Sequence, residues 1–339
     1  MPERVPFCDL TRVLAPLRNE IAGAMDRVVN SGWYLRGTET RSFEEEWAAY
    51  CGQKYCVVCN SGTDALTLAA KALNLARAAI PANTVALTAI GLQQAGVQIA
   101  LRDVDQAGQL PDADASTVPV LLYGRMPNDA ELKCKLFDAA HAHGWKPPSN
   151  AIACWSFYPT KSLGAMGDGG AVTTNEPELA DAMIALAGRD DVFRDSRQMT
   201  SRMDEIQAAV LRIKLRYLDN WLSERRSIAE QYIQQLGSCV RFTCKPGDLH
   251  HLFVIRAPRR DELMRHLAAR GVETKIHWEP PLHRLKTSWT HESSSFPYAD
   301  AWSTSILSLP CYPGLTAQEI ARVCELVQQF FLAERVVIS

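Results

Sequence analysis

Nowhere in the 339 residues is there a run of about 18 uncharged apolar residues, so no segment has the length to cross a bilayer as a helix. The N-terminal Met1-Pro2-Glu3-Arg4-Val5-Pro6-Phe7 also lacks an apolar stretch of signal-peptide size. Neither charge is in surplus. Against 38 Asp and Glu stand 36 Lys and Arg, and a formal net charge of -2 gives no electrostatic reason to bind nucleic acid or an anionic membrane. Repeats, low-complexity tracts and long Gly/Ser linkers are missing too. These absences point to the cytoplasm and to a small-molecule partner.

What is present is ordinary for a globular chain: 47% hydrophobic and 22% charged residues, at a length that suggests two domains. Without a secretion signal, the ten cysteines are expected to be reduced and buried rather than paired. Cys51, Cys56 and Cys59 have the C-x4-C-x2-C spacing of iron–sulfur ligands. However, Tyr55 to Cys59 reads as a buried strand whose alternate residues face opposite ways, and no fourth ligand stands out. The histidine pairs His141 with His143, His250 with His251 and His277 with His283 also lack a third ligand at a defined spacing, so no metal is expected.

Strand and helix patterns alternate through the first two thirds. Strands are expected at Tyr55 to Cys59, Thr84 to Thr88, Gln98 to Leu101, Pro119 to Leu122, Cys134 to Phe137, Ile152 to Ser156 and Ala171 to Thr174. Helical patterns cover Leu17 to Val29, Thr63 to Leu73 and one long stretch from Arg202 to Leu236. The alternation predicts an α/β fold, a mostly parallel mixed sheet between two helical layers. Residues 1–218 are expected to form this large domain. Residues 219–339, with strands at Leu252 to Arg256 and Glu273 to His277 and a last helix near Ala317 to Leu332, are expected to form a smaller α+β domain.

Three residue groups that follow predicted strands directly could carry chemistry, since ligands gather at strand carboxyl ends in such sheets. Ser61-Gly62-Thr63-Asp64 opens a helix, where free N–H groups can cradle an anion, although Ser and Thr also serve there as plain caps. Asp138 could hold a pyridine nitrogen protonated, or cap a helix. Lys161 lies in Ser156-Phe157-Tyr158-Pro159-Thr160-Lys161-Ser162-Leu163-Gly164, followed by Gly167-Asp168-Gly169-Gly170. An amine in such a setting can form a Schiff base if burial depresses its pKa. The glycines fit neither a dinucleotide fingerprint nor a P-loop. Together the three groups are the parts needed for pyridoxal phosphate: anion site, nitrogen partner and reactive amine.

At this point the sequence resembles the DegT/DnrJ/EryC1/StrS sugar aminotransferases, which have the aspartate aminotransferase fold type. The likeness runs through Ser31-Gly32-Trp33-Tyr34, Asn60 to Leu66, Asp138 to Gly144, the Lys161 segment, Ser201 to Ala209, His277 to His283 and Leu307 to Pro310. It implies that Lys161 bonds the cofactor and later shuttles the proton, and that Asp138 faces the ring nitrogen. Gly62, Thr63 and Ser156 would hold the phosphate, with His141 against the ring. Trp33, Tyr34, Tyr158, Arg202, His277 and His283 become substrate candidates by family position. Val85 stands where relatives stack an aromatic on the ring. Thr200 replaces an Asn that reaches the partner subunit's phosphate, and the connections near Leu75 to Pro81, Asn128 to Lys135 and Trp145 to Ala151 look trimmed.

Gly32-Trp33-Tyr34 and the residues around Lys161 resemble members that aminate carbon 3 of a dTDP-linked 3-oxo-6-deoxyhexose. The implied enzyme is a homodimer with its active site at the subunit interface. It would cycle pyridoxal 5'-phosphate through pyridoxamine 5'-phosphate, with L-glutamate and 2-oxoglutarate as the amine pair. Amination at carbon 4, or a non-catalytic homologue that binds cofactor or nucleotide sugar, stays open. So does the destination of the product, an O-antigen or other polysaccharide or a glycosylated metabolite.

Overall fold

The computed structural model describes residues 4–188, 196–237 and 239–335. Helices α1 (Leu10–Leu14), α2 (Arg18–Ser31) and α3 (Thr38–Cys51) lead into β1 (Tyr55–Cys59), α4 (Gly62–Ala72), β2 (Arg77–Pro81), α5 (Ala86–Gln94) and β3 (Gln98–Arg102). Next come β4 (Leu136–Asp138), β5 (Ile152–Ser156), β6 (Gly170–Thr174), α6 (Pro177–Leu186), α7 (Glu205–Leu215) and α8 (Leu218–Leu236). The remainder holds β7 (Arg241–Phe242), β8 (Phe253–Arg256), α9 (Arg260–Ala268), β9 (Thr290–His291), α10 (Pro297–Ser305), β10 (Ile306–Leu309) and α11 (Ala317–Arg335).

Strands in the order β1-β6-β5-β4 and β2-β3-β9 make two ladders. Parallel bridges from Val120 to Asp138 and from Ala79 to Thr117 join them through residues 117–120. In the combined layer β6 runs antiparallel to β1 and β5, while the other described pairings are parallel. The layer is therefore mixed and mostly parallel, with helices on both faces. On one face Val57 and Cys59 pack with α4, α5 and α6 through Leu66, Leu92 and Met183. On the other, Cys56 and Val58 pack with Phe43 and Trp47 of α3 and with Leu211 of α7. The period-2 alternation of β1 sends its two cysteines into different cores. Among the described residues no group of three His, Cys, Asp or Glu is placed to hold a metal.

A third core joins the β10-β8-β7 sheet to Ile228 and Tyr232 of α8, to α9 and α11, and to Val5 from the N-terminus. Leu282, Phe296 and Ala299 return to the first core, so the chain crosses between the two regions more than once. No helix of the described residues is long and apolar enough to cross a membrane.

Four expected elements come out differently. Thr84 to Thr88 is not a strand: Val85 precedes the first residue of α5, which buries Thr88, Ala89, Gly91 and Leu92 at helical spacing. The strand of this region is β2, masked in the sequence by two Ala and a terminal Pro, residues poorly represented in strands. Pro119 to Leu122 contributes one bridge at Val120, and Glu273 to His277 one at Lys275 opposite Ser308. The long helix divides because the Tyr217 N–H bonds Lys214, three residues back, at 3.0 Å, tightening the turn between α7 and α8.

Candidate active site

A cavity of about 550 Å³ opens where β1, β4 and β5 end, and its walls include Gly62, Thr63, Val85, Asp138, His141, Ser156, Tyr158, Lys161 and His277. Nine of the fourteen candidate residues thus meet at one place. The anion cradle is built at the start of α4. Ser61 Oγ accepts the Asp64 N–H at 3.1 Å, and the Ser61 carbonyl takes that of Ala65 at 2.9 Å. This leaves the Gly62 and Thr63 N–H groups at the positive end of the helix. Gly62 has to be glycine, because an added Cβ would lie 2.7 Å from Ser156 Cβ at the end of β5. That contact brings the Ser156 hydroxyl beside the two N–H groups.

Asp138, at the end of β4, is buried. It accepts a hydrogen bond from Thr88 Oγ1 at 2.7 Å on one oxygen and from the Ala140 N–H at 3.1 Å on the other. Burial raises its pKa, and these donors and Lys161 oppose that rise. A carboxylate buried in this way is stabilised by a cation at the cavity side. Lys161 lies in the β5–β6 loop, and burial lowers its amine to about 8, with Asp138 pulling upward. A cradle, a carboxylate short of a cation and a softened amine in one cavity fit a phosphorylated pyridine aldehyde.

The imidazoles around the site are held neutral. His141 Nδ1 accepts the Tyr123 N–H at 3.1 Å, which puts its proton on Nε2. Burial, and then Lys161, keep its pKa well below the usual value. Tyr123 and Gly124 both have positive φ (65° and 87°), which bends this backbone onto His141. A Cβ at Gly124 would meet the His251 nitrogen at 2.9 Å. Burial, Lys275 and Lys161 lower His277 to about 4, and its Nδ1 lies 2.7 Å from Ser308 Oγ.

Five candidates are not in the cavity wall. Trp33 and Tyr34 are 63% and 51% exposed beside α3, held there by Glu205, whose N–H donates to the Tyr34 carbonyl at 2.9 Å. Thr200 is exposed and Arg202 partly so, on either side of buried Ser201, whose hydroxyl donates to Asp64 at 2.6 Å. His283 contacts Asp300 at 2.9 Å and stacks on Phe296, with centroids 4.3 Å apart. Conversely, sequence reasoning missed Thr88, Lys275, Trp278 and His251. The first was hidden by the strand reading of its segment. Trp278 lies beside a candidate, and nothing in the His250-His251 pair, whose histidines read better as structural or substrate-facing than as metal ligands, links it along the chain to this cavity.

Residues 16–117 and 127–328 match the sequence profile of the DegT/DnrJ/EryC1/StrS aminotransferase family. The chain belongs to this family. As a member it is an aminotransferase that depends on pyridoxal 5'-phosphate. It is 36% identical to a dTDP-3-amino-3,4,6-trideoxy-alpha-D-glucose transaminase of Streptomyces venezuelae, over 98% of this chain and 97% of that one. It is 32% identical to a dTDP-3-amino-3,6-dideoxy-alpha-D-galactopyranose transaminase of Aneurinibacillus thermoaerophilus, over 96% and 99%. The crystal structure of S. venezuelae DesV superposes with a TM-score of 0.91 at 34% identity, covering 97% of this chain and 99% of that one.

Val85 lines the cavity with an aliphatic side chain where the resemblance leads one to expect an aromatic. Val85→Phe is expected to tighten cofactor binding two- to tenfold, from an aromatic contribution of about 0.5–1.5 kcal/mol. Absorbance titration of cofactor-free protein measures it. Unchanged or weaker affinity would show that the valine already packs as well.

Proposed function

We propose that the chain transfers an amino group from L-glutamate to carbon 3 of a dTDP-linked 3-oxo-6-deoxyhexose, forming the corresponding aminosugar. The observation that carries this reading is the convergence of Lys161, Asp138 and the Gly62–Thr63 turn in one cavity. The choice of carbon 3 and of a dTDP sugar is supported by the relatives' names.

In the site, the N–H groups of Gly62 and Thr63 and the Ser156 hydroxyl would bind the phosphate. Asp138, which accepts from Thr88 and Ala140, would face the ring nitrogen, whose positive charge would offset the burial that raises the carboxyl's pKa. When bound, the cofactor supplies an aldehyde and an electron sink that stabilises the carbanion next to the migrating nitrogen. Lys161 Nζ would be the base that takes the proton from the donor carbon and the acid that later returns it, a task suited to an amine near neutrality. Neutral His141, whose ring lies 5.5 Å from that of Trp278 between centroids, would line the cofactor site without adding a competing cation.

The sugar diphosphate enters past Lys275. Its ammonium lies 5.2 Å from the centre of the Phe7 ring, and no ion pair holds it among the described residues. Arg225, the other cation of the wall outside Lys161, is engaged by the His251 and Cys311 carbonyls. Lys275→Met is expected to raise KM for the dTDP sugar about tenfold, the loss of one charge-assisted hydrogen bond, and to leave the glutamate half-reaction unchanged. Kinetics at low and high salt check it, and equal losses in both half-reactions would exclude this role.

Exposed Trp33, Tyr34 and Leu35 form an apolar strip next to Thr200 to Asp204, bridged to it from Leu35 to Asp204. A second copy of the chain covers this strip in the homodimer we propose, and a monomer with full turnover in sedimentation would remove that element. Ten free thiols suit a reducing cytoplasm. Incubation with glutamate and candidate dTDP-ketosugars, followed by NMR of the product, tests the whole reading. Amination at carbon 4 alone would replace it with the carbon 4 reaction.

A further inference from the structure

Lys214, near the C-terminal end of α7, is 3% exposed, although lysine is among the residues least often buried. No carboxylate of the described residues pairs with it. Its one hydrogen bond runs from Nζ to the carbonyl of Gly164, three residues beyond Lys161. The ring of Trp221 lies beside it at 5.9 Å, and burial lowers the amine to about 8. A buried ammonium without an ion-pair partner destabilises a fold, and an apolar side chain of similar size fills the space at lower cost. Stability therefore does not account for a lysine at this position.

The backbone it holds is the loop that carries Lys161. The Lys161 N–H bonds the Tyr158 carbonyl at 2.9 Å, and the Ala165 N–H bonds the Phe157 carbonyl at 2.7 Å, which closes residues 157–165 into a ring. Gly164 is jammed inside it, since a Cβ there would lie 2.3 Å from the Pro159 carbonyl oxygen and 2.8 Å from that of Tyr158. The ring has little slack of its own, so its position depends on what fixes it from outside. One turn of α7 does so at Gln207, whose Oε1 accepts the Met166 N–H at 2.9 Å. Two turns further on, the same helix face does so at Lys214. The opposite side of α7 is anchored by Glu205, which accepts the N–H groups of Gly37 and Glu39 at 2.8 Å and that of Thr40 at 3.1 Å. The helix is a fixed strut: Ala208 and Leu211 share a core with Phe157, Leu163 and Ala165 of the loop, and among the described residues Gln207 and Lys214 supply its two side-chain hydrogen bonds to that segment.

We propose that Lys214 is a positioning residue: by donating to the Gly164 carbonyl it fixes the loop so that the Lys161 amine stays aimed across the cavity toward Asp138. The proposal rests on the reading of Lys161 as the reacting amine. Its loss shifts the amine rather than unfolding the chain, and a displacement of about 1 Å at a reacting group lowers rate by about a hundredfold.

The test uses Lys214→Met, which keeps volume and removes the donor, and Lys214→Gln, which keeps an N–H donor without charge. Thermal midpoints are read on cofactor-free protein, and attachment at Lys161 is read by borohydride trapping and peptide mass spectrometry. Lys214→Met is expected to melt at or above the parent temperature, to trap cofactor more slowly, and to lose ten- to hundredfold in kcat with KM for the sugar within twofold. Lys214→Gln is expected to recover most of the trapping rate. If Lys214→Met fails to fold, or if both variants lose melting temperature in proportion to activity, Lys214 is structural and the proposal falls. It also falls if Lys214→Met traps cofactor and turns over at the parent rate. Lys161→Ala run beside them separates the two ideas, since trapping that persists there would remove the reading of Lys161 itself.

Discussion

Lys161→Ala is expected to lower turnover by about 10⁴-fold, the upper end of what one positioned proton-transfer group supplies. The protein should still retain cofactor through gel filtration. The cradle of Gly62, Thr63 and Ser156 and the Asp138 carboxylate do not depend on the amine, so binding and chemistry separate in this variant. Absorbance of the eluted protein measures the first, and product formation measures the second. Normal turnover would remove Lys161 from the mechanism. The same residue sets a pH dependence. An ordinary lysine, titrating at 10.5, is neutral in roughly one molecule in three hundred at pH 8, whereas Lys161 at about 8 is half neutral there. Only the neutral amine attacks an aldehyde. The rate of cofactor attachment should therefore rise with pH through about 8 and level off above it, rather than climb toward 10.5.

Asp138→Asn is expected to lower kcat by about 10²–10³, the usual effect of removing one group that stabilises developing charge in a dry site. A second effect distinguishes electrostatics from damage to the fold. Asp138 is the charge that favours the ammonium form of Lys161, so its neutralisation moves the Lys161 midpoint to still lower pH. The attachment profile of the variant should shift toward acid while its plateau rate stays near the parent value. A shift toward alkali, or none, would mean that Asp138 does not act on the amine. Thr88→Val offers a milder version, because it removes the 2.7 Å donor that holds the carboxylate in place.

Much of the site could be read along the chain because its three parts follow strand ends, where a parallel sheet gathers ligands whatever the loops do. Gly62, Asp138, Ser156 and Lys161 stand one to five residues beyond, or at, the ends of β1, β4 and β5, and the apolar runs marking those strands were plain. Thr88 was not legible, since Val85-Ala86-Leu87-Thr88 suits a strand or a helix, and only packing against α4 selects the helix. Lys275 and Trp278 come from the C-terminal third, more than 110 residues from Lys161, and no local pattern links them to it. Lys214 was less visible still. Read as a helix residue, a lysine is assigned to the solvent face, and its burial follows from where the Gly164 carbonyl lies after the loop has closed.

The sequence by itself determined the α/β class and the family, and it singled out the side chains proposed to carry the chemistry, because periodicity, strand-end placement and side-chain type are local properties that survive without coordinates. Only the tertiary structure decided which charges lose water. Desolvation depends on every segment that closes over a group, and those segments come from both ends of the chain. It is this burial that brings Lys161 and Lys214 to about 8 and makes the nearby imidazoles neutral, whereas Lys275 stays exposed in the cavity wall with no ion-pair partner among the described residues.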